Sequence, residues 1–366
     1  MSPLALHEFH QTLNASFTEV NGAEAVAHYG DWRAEHAALR ASAAVLDLSF
    51  RSRLCLLGAD RAPFLHGQVT NDVNAIRPGH GCYATLVTAK GRMQGDLYIW
   101  NLAEELLLDF EPGLAAAVVA RLEKHIVSDD VQVVDAAPHY GLISVQGPKA
   151  GEVVACLALG VEPPAQPLSF VSVNAPALGQ LYLMHQSRAG ALGFDLFVPV
   201  ASLGVVADKL IAAAKSLGGW AGGWQALETA RIEAGFPRFG VDMDETTLPP
   251  EAGLESRAMS YRKGCYIGQE VLNRLHTMGH VNRELRGLRL ADELTELPTR
   301  GDKLFKDGKE VGHITSATIS PALSANIALG YVRREWLAAG TELTLETKNG
   351  SLRAVVAELP FVKASV

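Results

Sequence analysis

The C-terminal part of the chain, from about residue 285 onward, has the pattern that most restricts the fold. Helical spacing nearly disappears there, and short segments alternate apolar with polar residues or carry β-branched side chains: Leu285–Leu290, Leu304–Phe305, Val311–Ile319, Ile327–Arg333, Glu342–Glu346 and Leu352–Leu359. The dipeptides Asp307-Gly308 and Asn349-Gly350 favour tight hairpins, because these residue types tolerate the positive φ angles of two-residue turns. The pattern predicts a small all-β domain with the features of a barrel.

The rest of the chain mixes strands with helices. Cys82–Thr88 and Met93–Trp100 flank a glycine-containing turn, which predicts a β-hairpin. Ser202–Leu217 has the spacing of an amphipathic helix. Residues 51–135 and 141–217 repeat a similar order of strands and helices, in which hairpins outnumber crossovers. We therefore predict two α+β units with antiparallel sheets and not one doubly wound sheet.

Size and charge limit the functional classes. The 366 residues suffice for two or three domains, and the net charge of −8 argues against an extended nucleic-acid surface. Direct nucleic-acid binding is therefore not expected. The N-terminus has no basic region followed by an apolar run, and no apolar stretch is long enough to span a bilayer. We expect a cytoplasmic protein with no membrane partner.

Metal binding is not predicted. The cysteines at positions 55, 82, 156 and 265 form no CxxC pair and have no histidine at zinc spacing. We expect Cys55 and Cys156 to be ordinary buried thiols. His276 and His280 are four residues apart, which is a spacing that metal ligands use on helices, but Gly279 lies between them and no acidic partner follows.

The connector before the β domain shows a switch in charge. Residues 242–255 contain five acidic residues and no Lys or Arg, whereas residues 256–290 contain seven Lys or Arg residues and two acidic residues. Such segregation suits an anionic ligand at a domain junction. Two ordinary explanations remain open, namely that the two blocks pair with each other or that both face solvent.

A cysteine in this connector is the first candidate for chemistry. Cys265 follows the cations Arg262 and Lys263 and lies between Gly264 and Gly268. Nearby cations stabilise the reactive thiolate, and glycine allows a ligand to approach the backbone closely. Adjacency in sequence does not fix the direction of a side chain, so an unreactive cysteine also fits this spacing.

Three further residues are candidates for ligand binding. Trp224 and Glu233 lie in a segment that begins as a helix and stops at Gly235. A carboxylate at a helix C-terminus opposes the helix dipole, which hints at a function for Glu233. Asp96, in the second arm of the first hairpin, would be a general acid or base if it pointed inward.

Several motifs together resemble a known family. Residues 263–270 resemble the K-G-C-Y-x-G-Q-E motif of the YgfZ-type folate-binding proteins, in the superfamily of the glycine-cleavage T-protein, an aminomethyltransferase. The matching residues are Lys263, Gly264, Cys265, Tyr266, Gly268, Gln269 and Glu270. Residues 66–73 resemble the family's G-Q-V-T-x-D-V stretch, and residues 231–237 and 242–253 resemble two further T-protein segments. The resemblance covers nearly the whole chain.

The resemblance implies an α+β fold of three domains around a central folate site: two ferredoxin-like α+β domains and a C-terminal β-barrel. It also implies that one α+β domain is inserted into the other. The expected limits are 1–50 and 138–245 for the first α+β domain, 51–137 for the inserted domain, 246–284 for the connector with the cysteine motif, and 285–366 for the barrel.

The resemblance also implies a cofactor, tetrahydrofolate or a one-carbon derivative. Trp224 and Glu233 match family residues at the pterin, although nine residues on one continuous helix would place them on opposite faces. Arg262 and Lys263 are further candidates for folate binding.

The implied main function is an accessory role in iron–sulfur cluster assembly or repair, and indirectly in tRNA modification, with Cys265 as the working thiol and iron–sulfur client or assembly proteins as partners. The alternative is a folate-dependent aminomethyltransferase in which Asp96 is catalytic. T-proteins carry an Asp-Asp pair where this chain has Gly95-Asp96, which argues against that alternative.

Overall fold

The computed structural model describes residues 2–292, 294 and 296–363. The outer limits of the predicted terminal domains, residues 1 and 366, lie outside this part. The α-helices are α1 (His7–Thr12), α2 (Trp32–Ala41), α3 (Arg61–Gln68), α4 (Ala115–Glu123), α5 (Ala150–Ala155), α6 (Val200–Ser216), α7 (Trp224–Glu233), α8 (Glu255–Ala258) and α9 (Gln269–Met278). None of the described helices combines the length and apolar character needed to cross a bilayer.

Strands make up the rest of the regular structure. In chain order they are β1 (Ser16–Val20), β2 (Ala23–His28), β3 (Ala44–Asp47), β4 (Ser52–Leu57), β5 (Gly81–Val87), β6 (Met93–Asn101), β7 (Leu106–Phe110), β8 (Gln132–Asp135), β9 (Tyr140–Gln146), β10 (Phe170–Ala175), β11 (Gly179–His185), β12 (Gly193–Pro199), β13 (Trp220–Ala221), β14 (Arg283–Leu290), β15 (Lys303–Lys306), β16 (Lys309–Ser320), β17 (Ala325–Arg333), β18 (Glu342–Thr347) and β19 (Gly350–Ala357).

Two sheets form the α+β part. One has the order β5-β6-β7-β4-β8, with antiparallel neighbours, and takes all its strands from residues 52–135. The other has the order β10-β11-β12-β9-β3-β13 and takes strands from both sides of that stretch. Apart from β13, the two orders correspond position by position. In each sheet, four neighbouring strands have the order of a ferredoxin-like sheet. One further strand, β5 in the first sheet and β10 in the second, is added at the edge.

Each sheet buries one face under helices. Val145, Phe194 and Leu196 pack against Leu203 and Leu210 of α6 in the first core. The second core contains side chains of β4, β6 and β7 together with residues of α3 and α4. The predicted α+β class is confirmed, and the two sheets are antiparallel as predicted apart from the parallel pair of β3 and β13. The domain limits stay a prediction, since the strands locate the sheets and not the borders between domains.

The C-terminal strands close into a barrel, as predicted. Its strand order is β14-β17-β16-β15-β18-β19. The interior is filled by apolar side chains such as Leu288, Ile314 and Leu345. Asp307 and Gly308 both have positive φ, of 50° and 73°, which is the geometry of the tight turn that the dipeptide predicted.

Sequence periodicity missed or lengthened several elements. The β1–β2 hairpin and the edge strand β10 were not predicted, and both are short and only partly buried. The sequence predicts a helix over 148–159, but α5 covers only Ala150–Ala155, and Ala158 beyond it has a positive φ of 51°, outside the helical region.

Helix α7 lies between the α+β part and the barrel. It contacts α2 and β2 on one side and β16 and β17 on the other. Most of its residues from Ala226 onward are therefore buried. The helix ends before Gly235, whose φ of 71° terminates it and turns the chain towards the connector.

Candidate functional site

A cavity lies where the two sheets meet α7. Its walls come from five stretches of the chain, at residues 48–51, 83–111, 187–188, 224–238 and 257. The aromatic residues in the wall are Tyr83, Tyr98, Trp224 and Phe236, and the charged residues are Arg51, Asp96, Glu111, Arg188, Glu228, Arg231, Arg238 and Arg257. Aromatic walls with converging charges are typical of a site for a flat, polar ligand.

Asp96 points into this cavity from β6. Asp96 and Tyr98, two residues apart on the strand, both line the cavity, whereas Leu97 packs into the core behind the sheet. Only one of two adjacent strand residues can face the cavity, so Gly95 faces away from it. The Gly95-Asp96 sequence therefore retains the carboxylate that the cavity can use.

The carboxyl group of Asp96 is buried and has a hydrogen-bond partner on only one of its oxygens among the described residues. Tyr83 Oη donates a hydrogen bond of 2.6 Å to Asp96 Oδ2. The other oxygen, Oδ1, is buried without a hydrogen-bond partner among the described residues. Burial raises the pKa of Asp96 to about 6, although the Tyr83 hydrogen bond opposes this shift. A carboxyl group that titrates near neutral pH suits general acid and base catalysis.

The arginines of the cavity are held by buried carboxylates. Asp109 bonds Arg51 at 2.8 Å and Arg188 at 2.6 Å. Glu111 bonds Arg51 at 2.9 Å and Arg238 at 2.8 Å. Burial alone would raise the pKa values of Asp109 and Glu111, but these arginines outweigh it and keep both pKa values below the usual range. The network fixes the cations in position and leaves little excess charge inside.

Trp224 is in the cavity wall, but its ring is covered. The guanidinium of Arg238 lies 4.4 Å from the centre of the Trp224 ring, and Phe50 contacts the ring edge-on at 5.4 Å. A ligand that stacks on Trp224 therefore has to displace Arg238.

Glu233 is not among the residues that line the cavity, whereas the family resemblance implies that it shares a ligand with Trp224. Helix α7 runs without a break from Trp224 to Glu233, so the two side chains point to opposite faces. Glu233 is fully buried, and it accepts hydrogen bonds from His36 at 2.8 Å and Ser320 at 2.5 Å. These bonds outweigh burial and lower the pKa of Glu233.

Glu228, and not Glu233, lies on the same face of α7 as Trp224. It lies four residues after Trp224, which puts both on one face of α7. Glu228 lines the cavity and is bonded to Arg231 and to Arg238, the latter at 3.1 Å. The spacing from Trp224 was the signal that could have identified Glu228.

The cysteine motif lies outside the cavity walls. Cys265 is an exposed free thiol. Lys263 is buried, and its ammonium group donates to the carbonyls of His66 and Val69, the latter at 2.6 Å. Burial lowers the pKa of Lys263 to about 8. Lys263 therefore anchors the loop. Neither Lys263 nor exposed Arg262 lines the cavity, so their role in folate binding stays a prediction.

The rest of the motif packs this loop against the β5–β6 hairpin. Tyr266 is buried beside the Lys263 ammonium group, which lies 4.6 Å from its ring centre. Gly268 has a φ of 87°, and a Cβ there would lie 2.5 Å from the Thr88 carbonyl oxygen. Gln269 and Glu270 form the first turn of α9.

The other sequence candidates have structural partners. His276 stacks on Tyr261 with ring centres 3.8 Å apart and bonds Glu255 at 2.6 Å. Between Ser2 and Lys363, positions 293 and 295 excepted, no three His, Cys, Asp or Glu side chains gather as a metal site would require. Arg283 pairs with Glu251 at 3.2 Å, so the two charge blocks of the connector partly face each other.

The two cysteines expected to be buried differ. Cys55 is buried, and its pKa is raised by that burial. Cys156 is exposed just after α5, which corrects the prediction.

Comparison with known proteins assigns the family. Residues 6–263 match the GCVT N-terminal domain, and residues 283–363 match the glycine cleavage T-protein C-terminal barrel domain. The chain is 29% identical to proteins named aminomethyltransferase from Nostoc sp., with 98% of this chain and 95% of the relative covered, and from Cupriavidus necator, with 98% and 96% covered. The crystal structure of the glycine cleavage system aminomethyltransferase T from Bartonella henselae is 26% identical, with a TM-score of 0.88 over 99% of this chain and 98% of that one. The chain thus belongs to the glycine cleavage T-protein family.

Proposed function

We propose that this chain binds a reduced folate, tetrahydrofolate or a one-carbon derivative, in the cavity and acts as a folate-dependent aminomethyltransferase. The observation that carries the proposal is Asp96, a carboxyl group in the cavity wall with one unpaired oxygen and a pKa of about 6. The similarity to relatives named aminomethyltransferase supports the same reading.

The residues of the cavity fit a pterin. A pterin is flat and presents an N3 and 2-amino edge that pairs with one carboxylate. Tyr83, Tyr98 and Phe236 supply flat walls, and Glu228 supplies a carboxylate on the α7 side. We infer that Glu228, rather than Glu233, pairs with this edge once the ligand displaces Arg238 from the Glu228 carboxylate.

Asp96 acts in the transfer through its free oxygen. The reduced folate supplies a nucleophilic nitrogen that accepts the one-carbon unit. As a carboxylate, Asp96 Oδ1 accepts a proton from the reacting amine and orients it, and as an acid it returns a proton to the departing amine. The Tyr83 hydrogen bond holds Oδ2, so Oδ1 is the oxygen that remains for this transfer. Preorganised groups of this kind supply much of an enzyme's rate enhancement.

Calorimetric titration with tetrahydrofolate tests the binding step. We expect Glu228→Gln to weaken binding about tenfold or more, since a charged hydrogen bond contributes about 1.5–3 kcal/mol. Glu233→Gln is the matched control on the same helix, and the folded fraction of this variant should bind as the wild type does. A wild type that binds no folate would remove the proposal.

Formation of methylenetetrahydrofolate from aminomethyl donors tests the chemistry. Asp96→Asn keeps the shape of the side chain but cannot transfer a proton, so we expect a loss of about a hundredfold or more in kcat. Folate affinity should change much less. Unchanged turnover in this variant would take Asp96 out of the mechanism.

A second candidate function rests on the exposed Cys265 thiol. We propose as the alternative that the chain is a YgfZ-type accessory protein that supports iron–sulfur cluster assembly or repair, and indirectly tRNA modification, through client or assembly proteins. The exposed thiol on a loop anchored by Lys263 is accessible to a partner protein. All four cysteines are free, which suits the reducing cytoplasm to which we assign both candidate functions.

Complementation separates the two candidates. In a deletion strain, Cys265→Ser should lose iron–sulfur enzyme activity, while Cys156→Ser, which removes another exposed thiol, should restore it. Full complementation by Cys265→Ser would exclude a working thiol at this position.

A further inference from the structure

A second cleft shares Arg51 with the wall of the cavity. It has a volume of about 460 Å³, and its wall includes the N-terminal segment at residues 2–5, the β3–β4 connection at residues 49–53 and residues between 135 and 141. Arg51 is already neutralised, because Asp109 and Glu111 both bond it. The charge that this cleft offers to a ligand therefore has to come from its other residues.

Arg53 supplies a buried cation in this wall. Only 1% of its surface is exposed. Its Nη1 donates to the Arg51 carbonyl at 2.9 Å and its Nη2 to the Ser49 carbonyl at 3.0 Å, while Nε is buried without a hydrogen-bond partner among the described residues. Burial lowers the pKa of Arg53, and the acids around it do not offset this effect. Arg53 thus keeps one N–H donor available beside the cleft.

Two helices begin at the same cleft. Ala115, the first residue of α4, and Val200, the first residue of α6, both belong to its wall. Neither helix has a side chain that caps its N-terminus. The Val200 amide donates to the His139 carbonyl at 3.0 Å, so the amides of the residues after it are the donors left for a ligand. Phosphate groups bind at such helix ends, because the N–H groups and the helix dipole both favour a negative charge.

The two acids in the wall have partners of their own. Glu24 accepts a hydrogen bond from the Leu4 amide at 3.1 Å and is bonded to His7 at 2.7 Å. Asp135 is exposed and accepts a hydrogen bond from the Ala137 amide at 2.9 Å. An anion in the cleft would be repelled most by Asp135, at an exposed position where solvent screens the charge.

We propose that this cleft binds a phosphate group, with Arg53 Nε and the N-terminal amides of α4 and α6 as its donors. A guanidinium group matches the charge and the acceptor oxygens of a phosphate. The volume of about 460 Å³ leaves room for an organic part attached to the phosphate. The site does not depend on the proposed function and assigns the chain a second ligand of a different chemical class.

Calorimetric titration of the full chain with inorganic phosphate and with glycerol phosphate, at an ionic strength held constant with sodium chloride, tests the site. Ala115→Asp places a carboxylate at the start of α4 in the cleft wall, and we expect it to weaken binding about tenfold, equivalent to about 1.4 kcal/mol. This variant should fold, because a carboxylate is favourable in the first turn of a helix. The folded fraction of Arg53→Gln should lose a similar factor.

Ala117→Asp is the matched control. Ala117 is an exposed residue of the same helix and does not line the cleft, so this variant should bind phosphate as the wild type does. Asp135→Asn should bind phosphate about twofold more tightly, since it removes a screened repulsion.

The two titrations also identify the source of the phosphate group. Tighter binding of glycerol phosphate would assign the site to phosphorylated small molecules, and equal binding would assign it to inorganic phosphate. Binding of neither by the wild type would overturn the site, and so would binding that survives unchanged in Ala115→Asp. Tetrahydrofolate affinity should be the same in Ala115→Asp and the wild type, so the outcome for this site is separate from that for the proposed function.

Discussion

Tyr83 donates a hydrogen bond of 2.6 Å to one oxygen of Asp96, and the other oxygen of that carboxyl group is buried without a partner in the part of the chain that the structure describes. The two residues are diagonal neighbours on adjacent strands: Tyr83 on β5 is paired with Tyr98, which lies two residues after Asp96 on β6. The hydrogen bond favours the carboxylate, whereas burial favours the acid, and the balance leaves the pKa of Asp96 at about 6.

Removing the Tyr83 hydroxyl should make Asp96 a weaker acid. Tyr83→Phe deletes the hydrogen bond that favours the carboxylate, so we expect the pKa of Asp96 to rise by about one unit, equivalent to about 1.4 kcal/mol. The pH profile of kcat/KM for folate-dependent transfer measures this as an upward shift of its acidic limb. Tyr98→Phe, a change to the neighbouring cavity tyrosine, should leave that limb in place. A profile unmoved by Tyr83→Phe would show that the limb belongs to another group.

The raised pKa of Asp96 should make stability depend on pH. A carboxyl group whose pKa is higher in the folded state than in the unfolded state binds more protons when folded, so its stabilising effect is present at low pH and is lost as pH rises through about 6. Asp96→Asn removes the buried charge and should stabilise the protein above pH 7 by about 1–3 kcal/mol. The difference should vanish near pH 4. Urea unfolding of the two proteins at pH 4 and pH 8 measures it, and equal stability at both values would contradict a raised pKa.

The sheets and the barrel were predictable because their signals are local. Turn dipeptides such as Asp307-Gly308 and the alternation of apolar residues specify hairpins within a few residues, and the barrel follows from a succession of them. The cavity was not predictable in the same way. Arg51, Arg188 and Arg257 come from distant parts of the chain, and only the packing of the sheets against α7 joins them.

Side-chain direction explains the site residues that the sequence misplaced. Lys263 and Arg262 are adjacent, yet Lys263 is buried against carbonyl oxygens and Arg262 is exposed. Glu233 stood out because a carboxylate is unfavourable at a helix end, but its partners His36 and Ser320 come from α2 and β16, which no helix rule reveals. Helical spacing alone could have placed Glu228, one turn from Trp224, on the same face of α7.

Glu233 should matter for stability and not for ligand affinity. Glu233→Ala leaves His36 and Ser320 without their buried partner, and we expect a loss of about 2–4 kcal/mol in the free energy of unfolding. Chemical denaturation measures this loss, with Glu245→Ala, at an exposed position, as the near-neutral control. A large fall in folate affinity of folded Glu233→Ala protein, without loss of stability, would restore Glu233 as a ligand residue.

The second glycine of the cysteine motif should be required for folding and not for chemistry. Gly268 has a positive φ of 87°, and a Cβ at this position would lie 2.5 Å from the Thr88 carbonyl oxygen, so Gly268→Ala adds a backbone clash to conformational strain. Gly253 has a similar φ of 72° but meets no atom within 4 Å, so Gly253→Ala adds the strain alone. We expect Gly253→Ala to cost about 1 kcal/mol and Gly268→Ala about 1–3 kcal/mol more. Thermal or urea unfolding of the two variants measures the difference. Equal losses of unfolding free energy in the two variants would mean that the motif loop can shift away from the β5–β6 hairpin. Lys263 could then not hold this loop in a fixed position.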